Sequence, residues 1–279
     1  MQYARLQKKV ITAYFAFFYY TIFAFFFMDH ALLSQVNPIL FHYNRDLSEL
    51  ALIAAGVPQY MVRHPGSFRV ADILLYALPL FQLFYYFRKG KFSRVLGILF
   101  SLFLALYLLL LNIFVQVHME PYTIYLLLSL AFLTSSEEGL QGVLAFCRYY
   151  FLYIFFSAAV WKLARGALFN MEEMSNILLL QHHDLLSQDC SSLNCNTYRT
   201  LIAHPALSYT LYLAGWLLEA FFAVGFFTRK FDRWLIFFAF LFFVADELVM
   251  RIAYWPILVG VIPLLLPPRA SSTPKQPVP

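Results

Sequence analysis

Several ionisable residues of this 279-residue chain lie inside or at the ends of long apolar runs. A charge in hydrocarbon is costly and usually faces a protein interior or a polar cavity. With the amino terminus inside the cell, these residues fall toward the outer ends of their helices, except Glu219, which lies deeper. The candidates are Asp72, His118, Lys162, Glu219, Asp246, Glu247 and Arg251. They predict an outward-opening polar pocket. The alternative is that Lys162 and Arg251 reach the membrane interface and pair with the acids, Glu247 and Arg251 being spaced i,i+4.

Lys162 ends an apolar run whose other residues are almost all uncharged. We predict that it faces the protein interior and contacts a carboxylate or a cavity. A carboxylate within about 4 Å would keep the lysine charged and would indicate structure or ligand positioning. A lysine held neutral in an apolar cavity could instead accept a proton as a base.

The seven His residues form no known metal-binding pattern, and the chain carries no phosphate-binding loop, nucleophile elbow or dinucleotide fingerprint. His182 and His183 precede Asp184, but adjacent residues on a helix point about 100° apart. We therefore expect a surface helix with two solvated histidines there, and no metal site.

The cysteines differ in their predicted surroundings. Cys190 and Cys195 lie in a long outer segment, where an oxidising compartment favours a disulfide. Two unrelated free thiols are the alternative. Cys147 lies at the inner end of an apolar run and is predicted to be an inert buried thiol.

Composition indicates an integral membrane protein. Hydrophobic residues make up 62% of the chain and charged residues only 13%, whereas a soluble domain of this length has about a quarter charged residues. Because the basic residues sit in short clusters between apolar runs, the net charge of +5 does not indicate nucleic-acid binding. The apolar runs lie at 10–28, 69–87, 95–116, 121–135, 145–163, 207–227, 233–250 and 252–267. They predict an all-α, polytopic helical bundle of about eight transmembrane helices over residues 1–267.

The basic clusters predict the orientation of this bundle. Most of the 20 Lys and Arg residues, Arg148 among them, fall on one side if both termini lie in the cytoplasm, as in a bacterial inner-membrane protein. The long segments 29–68 and 164–206 are then outside, with short surface helices, and 170–186 shows apolar residues at helical spacing. The Pro- and Ser-rich tail, 268–279, is predicted to be disordered.

The fifth apolar run, with the fourth and the sixth, resembles a known family. Residues 153–163 end in Lys162-Leu163 and are followed by Gly166, as in the signature helix of the HTTM family, membrane domains related to the vitamin K-dependent gamma-glutamyl carboxylase. Residues 121–132 resemble the family segment with an Asn-His-x-Tyr-Leu core, and 215–219 resemble its Leu-Glu helix. The chain departs from the family at Tyr122 and Thr123, which replace Asn-His, and at Asp246-Glu247, where carboxylase-like members have His.

The resemblance implies that Lys162 corresponds to the base that deprotonates reduced vitamin K, while the departures argue against protein carboxylation. Two functions therefore remain open. The first is a membrane core whose outer pocket binds a quinone-like or lipid molecule, with Lys162 as base or ligand-positioning cation. The second is a non-catalytic membrane partner or immunity-type subunit that acts through helix contacts with a membrane or extracytoplasmic protein.

Overall fold

The computed structural model describes residues 2–24, 32–37, 39–41, 47–115, 119–187, 193–252 and 254–266. In chain order the α-helices are α1 (Gln2–Ala24), α2 (Leu47–Ala54), α3 (Val57–Arg63), α4 (Gly66–Lys89), α5 (Arg94–Val115), α6 (Met119–Ser129), α7 (Glu137–Ala164), α8 (Glu173–Gln181), α9 (His183–Ser187), α10 (Leu193–Ala203), α11 (Pro205–Phe221), α12 (Val224–Phe227), α13 (Asp232–Met250) and α14 (Ile262–Leu265). Short 3-10 helices lie at Leu33–Gln35, Leu130–Phe132, Ala167–Phe169 and Trp255–Val261. Within these ranges there is no β-strand, so the predicted all-α class is confirmed.

Among the described residues, four helical segments are long and apolar enough to cross a membrane: α4, α5, α7, and Pro205–Phe227, which joins α11 to α12. The shortest has 22 residues, about 33 Å of helix, against a hydrocarbon core of roughly 30 Å. These segments indicate a membrane protein, as the composition predicted. The count of about eight spans and the inside-outside arrangement stay predictions. The predicted tail 268–279 lies outside the described residues.

The last apolar run does not form the long helix predicted for 252–267. It forms the 3-10 helix Trp255–Val261 followed by the single turn α14, which together extend only about 20 Å. Pro256, Ile257, Val259, Gly260 and Val261 of this segment are buried. It packs against α1, α6 and α7, so its apolar residues serve the protein core.

Glycines allow this close packing. A Cβ at Gly260 would collide with the Phe151 ring of α7 and lie 2.5 Å from Ile124 Cδ1 of α6. A Cβ at Gly225 would lie 2.6 Å from Leu152 Cδ2, also on α7. Both distances are far below van der Waals contact, so α7 is approached from two sides at positions that only glycine permits.

Helix α7 begins and ends at residues with identifiable signals. The Ser136 hydroxyl accepts a hydrogen bond from the Gly139 amide at 3.1 Å, and Glu137 and Glu138 occupy the first turn, where the helix dipole favours acids. Gly166 follows the helix with a φ of 75°, in the left-handed region. These signals fix the position of Lys162 in the last turn.

A buried ion pair joins α7 to the start of α13. Arg148 Nη2 lies 2.6 Å from Asp232 Oδ1 and donates a second hydrogen bond to the Thr228 carbonyl at 3.1 Å. Arg148 is 2% exposed. Arg148 therefore holds two helices together. Its predicted place on the cytoplasmic side of the membrane stays a prediction.

The segment 164–206 folds into short helices around a small second core. Met174 and Leu178 of α8 are buried with Leu201 of α10 and Tyr212 of α11. The Ser175 and Ser208 hydroxyls are hydrogen-bonded at 2.7 Å, which joins α8 to α11. Within 170–186 the structure has two short helices, α8 and α9, separated at His182. Their predicted place at the outer membrane surface stays a prediction.

The prediction of two solvated histidines is wrong for His182. Its ring stacks on Tyr198 with centroids 3.9 Å apart, and its Nε2 lies 3.0 Å from the Val249 carbonyl oxygen. The side chain is buried because α8 and α10 pack side by side. His183 is exposed, as expected.

Candidate functional site

Lys162 of α7 and Glu219 of α11 form a bidentate ion pair. Lys162 Nζ donates to both Glu219 carboxylate oxygens at 2.7 Å. The Glu219 side chain is 4% exposed and that of Lys162 is 31% exposed. The ammonium also lies 5.6 Å from the centroid of the Tyr212 ring. Lys162 thus contacts a carboxylate.

Aromatic and indole contacts fix the two helices that carry this pair. Phe155 and Phe222 are stacked, with ring centroids 4.0 Å apart. The Trp216 indole N–H donates to the Ala159 carbonyl of α7 at 2.9 Å. Trp216 lies one turn before Glu219 and Ala159 one turn before Lys162, so this bond sets the register in which the ion pair forms.

Two further acids lie near the pair. Asp246 of α13 is close enough to Lys162, Glu219 and Glu247 to interact electrostatically with each of them. In the described part of the chain, Asp246 Oδ2 and Glu247 Oε2 are buried without a hydrogen-bond partner. Three of the residues singled out in the sequence, Lys162, Glu219 and Asp246, therefore come together, and Glu247 lies beside Asp246. Such a group would favour a ligand that brings a hydrogen-bond donor.

A cavity of about 450 Å³ lies beside this group, between α7, α11, α13 and residues 254–257. Its volume is in the range of small-molecule sites. Glu219 contributes its carboxylate to a wall that is otherwise rich in aromatic side chains. The lining residues are Tyr150, Tyr153, Ile154, Phe155, Ser157, Ala158, Trp161, Glu219, Phe242, Phe243, Tyr254 and Ile257.

The cavity opens on the exposed face of α7. Tyr153 and Trp161 line it and are 58% and 63% exposed. They lie two turns apart on a helix able to span the membrane, with the small residue Ser157 between them. A flat molecule could therefore lie along α7 between two aromatic side chains, with one edge toward Glu219.

Asp72 belongs to a different part of the structure. Its Oδ1 accepts from the Tyr107 hydroxyl at 2.7 Å, and its Oδ2 accepts from the Ser34 amide at 3.0 Å. These bonds hold the 3-10 helix Leu33–Gln35 against α4 and α5. Asp72 has the contacts of a structural residue, which differs from the pocket role predicted for it.

Arg251 does not pair with Glu247, contrary to the alternative considered in the sequence analysis. It is exposed and has a φ of 54°, which ends α13 in the left-handed conformation. Its amide donates to the Glu247 carbonyl at 3.1 Å, but among the described ion pairs there is none between their side chains. The i,i+4 spacing fails because the helix stops at Met250.

The remaining candidates lie partly outside the described residues. His118 is outside them, and so is Cys190. Cys195 is buried in α10, and its bond to Cys190 stays a prediction. Cys147 is a free, buried thiol, as predicted. Among the described residues, no group of three His, Cys, Asp or Glu side chains could hold a metal ion.

Sequence reasoning missed the aromatic wall and the ion pair between Arg148 and Asp232. The wall draws Tyr150 and Phe155 from α7 and Phe242 and Phe243 from α13. Phe and Tyr are too frequent in this chain, 32 and 19 residues, for individual ones to stand out. Arg148, an arginine within an apolar stretch, was a usable signal for a buried partner.

Comparisons with protein-family models, with curated proteins and with solved structures gave no match. The resemblance to the HTTM family therefore stays a prediction.

Proposed function

We propose that this membrane protein binds a quinone-like or lipid molecule in the cavity between α7, α11 and α13. The observation that carries the proposal is the Glu219 carboxylate, held by Lys162, on the wall of an aromatic cavity of about 450 Å³. One polar contact on an apolar wall is the usual design of a site for a ring with a polar edge.

The lining suits such a ring. Tyr153 and Trp161 offer faces for stacking, and the small side chains of Ser157 and Ala158 leave space between them. A hydroxyl on the ring or lipid headgroup would donate to Glu219, which lines the cavity, while Lys162 holds that carboxylate from behind. The exposure of Tyr153 and Trp161 gives the ligand a route from the bilayer.

Lys162 acts in this proposal as a positioning cation. Its Nζ donates to both Glu219 oxygens and so holds that carboxylate in place. The resemblance implied a base at this position. A base role would require the pair to open first, whereas positioning needs no rearrangement.

Native mass spectrometry of the detergent-purified protein, incubated with decylubiquinone, tests this proposal. Ala158→Phe places a ring in the cavity, whereas Gly142→Phe adds one on the same helix where no other atom lies within 4 Å of the new Cβ. We expect the wild type and Gly142→Phe to retain the quinone or a co-purified lipid, and Ala158→Phe to lose it. Equal retention by all three proteins would overturn the proposed site.

The second candidate function, a membrane partner subunit, rests on exposed apolar residues in 164–206. Phe169, Leu180 and Leu193 are 80%, 79% and 82% exposed, although they lie outside the four apolar segments. Such side chains suit contact with another membrane or extracytoplasmic protein. A photocrosslinking amino acid at position 180 would capture one partner band in cells under this function. The same group at exposed Lys89 is the control.

A further inference from the structure

A second cavity, of about 400 Å³, lies where the amino terminus of α1 meets the turn between α4 and α5. Tyr3, Gln7, Lys91, Ser93, Arg94 and Thr134 are among its lining residues. We propose that it binds the phosphate of an anionic phospholipid. This site is separate from the aromatic cavity and has different chemistry.

Hydrogen bonds between distant segments build the walls. The Tyr3 hydroxyl donates to the Thr134 carbonyl at 2.8 Å, and Gln7 Nε2 donates to the Ala131 carbonyl at 3.3 Å. On the opposite side, the buried Gln82 side chain donates to the Ser93 carbonyl at 2.9 Å. The cavity is thus enclosed by three parts of the chain that these bonds hold in place.

The charge of the lining selects an anion. Lys91 and Arg94 contribute two cations, and none of the described residues lining the cavity is Asp or Glu. Neither cation takes part in the ion pairs seen among the described residues. Both are exposed at the surface, so a ligand headgroup can reach them.

The beginning of α5 borders the same cavity, with Ser93, Arg94 and Val95 among the lining residues. The Ser93 hydroxyl accepts from the Leu96 amide at 3.4 Å, and the Ser93 carbonyl accepts from the Gly97 amide at 3.0 Å. The amides of Arg94 and Val95 have no partner within the helix, since they belong to its first turn. Together with the helix dipole and the two side-chain cations, they suit a phosphate group.

The same helix indicates that the phosphate belongs to a lipid. Val95, Leu99 and Leu102 are 67%, 51% and 65% exposed. They form an i, i+4, i+7 row that starts at the cavity and continues along a segment apolar enough to span the membrane. An acyl chain would lie along this row while the headgroup occupies the cavity. A free phosphate would leave the row unused.

Thermal unfolding of the detergent-purified full chain, with phosphatidylglycerol, phosphatidylcholine or inorganic phosphate added, tests this proposal. Lys91→Gln with Arg94→Gln removes the cavity cations. Arg88→Gln with Lys89→Gln removes the same charge from neighbouring positions that do not line the cavity. We expect phosphatidylglycerol to raise the melting temperature of the wild type and of the control pair. The apparent affinity of phosphatidylglycerol for the Lys91→Gln, Arg94→Gln variant should be about tenfold or more lower than its affinity for the wild type.

Three results would overturn the proposal. Equal losses of affinity for phosphatidylglycerol in the two double variants would show that the lipid is attracted by surface charge alone. Equal stabilisation by phosphatidylcholine would remove the preference for anionic lipid. Protection by inorganic phosphate at the same concentration, equal to that by phosphatidylglycerol, would identify a free-phosphate site.

Discussion

At the residue scale, the pair of Lys162 and Glu219 contains a nearly buried acid that has a partly exposed cation as its partner. Burial of a carboxylate is tolerated when it is paired and hydrogen-bonded, and both oxygens of Glu219 accept from Lys162. Removing the lysine alone would leave Glu219 unpaired and close to Asp246. The stability of this region therefore depends on the pair more than on either residue.

Lys162→Met tests that dependence. It keeps the side-chain length but leaves Glu219 unpaired, so we expect the free energy of unfolding to fall by about 2 kcal/mol, less than for a fully buried pair. Adding Glu219→Gln should recover more than half of the loss. Arg165→Met, one turn on and exposed, is the control and should change stability by less than about 0.5 kcal/mol. Denaturant unfolding in detergent measures all four proteins, and a single-variant loss no larger than that of Arg165→Met would refute the argument.

Lys162→Arg separates a positioning cation from a base. The guanidinium stays charged and can contact a carboxylate through two hydrogen bonds, so we expect quinone retention close to wild type. Lys162→Met should lose most of the retention. Native mass spectrometry compares the two variants. Loss in Lys162→Arg as complete as in Lys162→Met would contradict the positioning role.

At the element scale, hydropathy located most helices within a few residues but could not tell a core segment from a lipid-facing one. The runs 69–87 and 95–116 became α4 and α5, with bounds close to those predicted. The run 252–267 is equally apolar, yet the segment it contains is short and buried between α1, α6 and α7. Pro256 and Pro263 each lie in the first turn of a short helix, so they start new helical pieces and do not continue a long one.

Gly260→Ala tests the close contact between this segment and α7. The added methyl would collide with Phe151, so we expect a loss of about 1–3 kcal/mol in the free energy of unfolding. Gly215→Ala in α11 is the matched control, since no atom lies within 4 Å of its new Cβ. That variant should be neutral or more stable by up to about 1 kcal/mol. Thermal unfolding distinguishes them, and equal effects would show that the segment is loosely packed.

The candidate site was predictable only in part, because the sequence does not show which helices pack against each other. The costs of charge in an apolar run singled out Lys162, Glu219, Asp246 and Glu247, which the structure brings together. The same rule selected Asp72, which instead bonds to Tyr107 and Ser34. Sequence alone cannot choose between these outcomes because each depends on which helices become neighbours.

At the scale of the whole molecule, the orientation in the membrane is a prediction that rests on the basic clusters. Lys89 should face the cytoplasm and Ser187 the outside, and both are exposed. A membrane-impermeant maleimide applied to intact cells should therefore label Ser187→Cys and leave Lys89→Cys unlabelled until the cells are opened. Buried Cys147 should give little background. Labelling of Lys89→Cys from outside would reverse the arrangement.

The central claim is that the aromatic cavity beside Glu219 holds a quinone-like or lipid molecule. Photolabelling with an azidoquinone, followed by peptide mapping, tests it most directly. We predict label on the α7 residues between 150 and 161 and on 254–257, lost with excess decylubiquinone and in Ala158→Phe. Label spread over the exposed apolar rows of α5, with no competition by decylubiquinone, would contradict the claim.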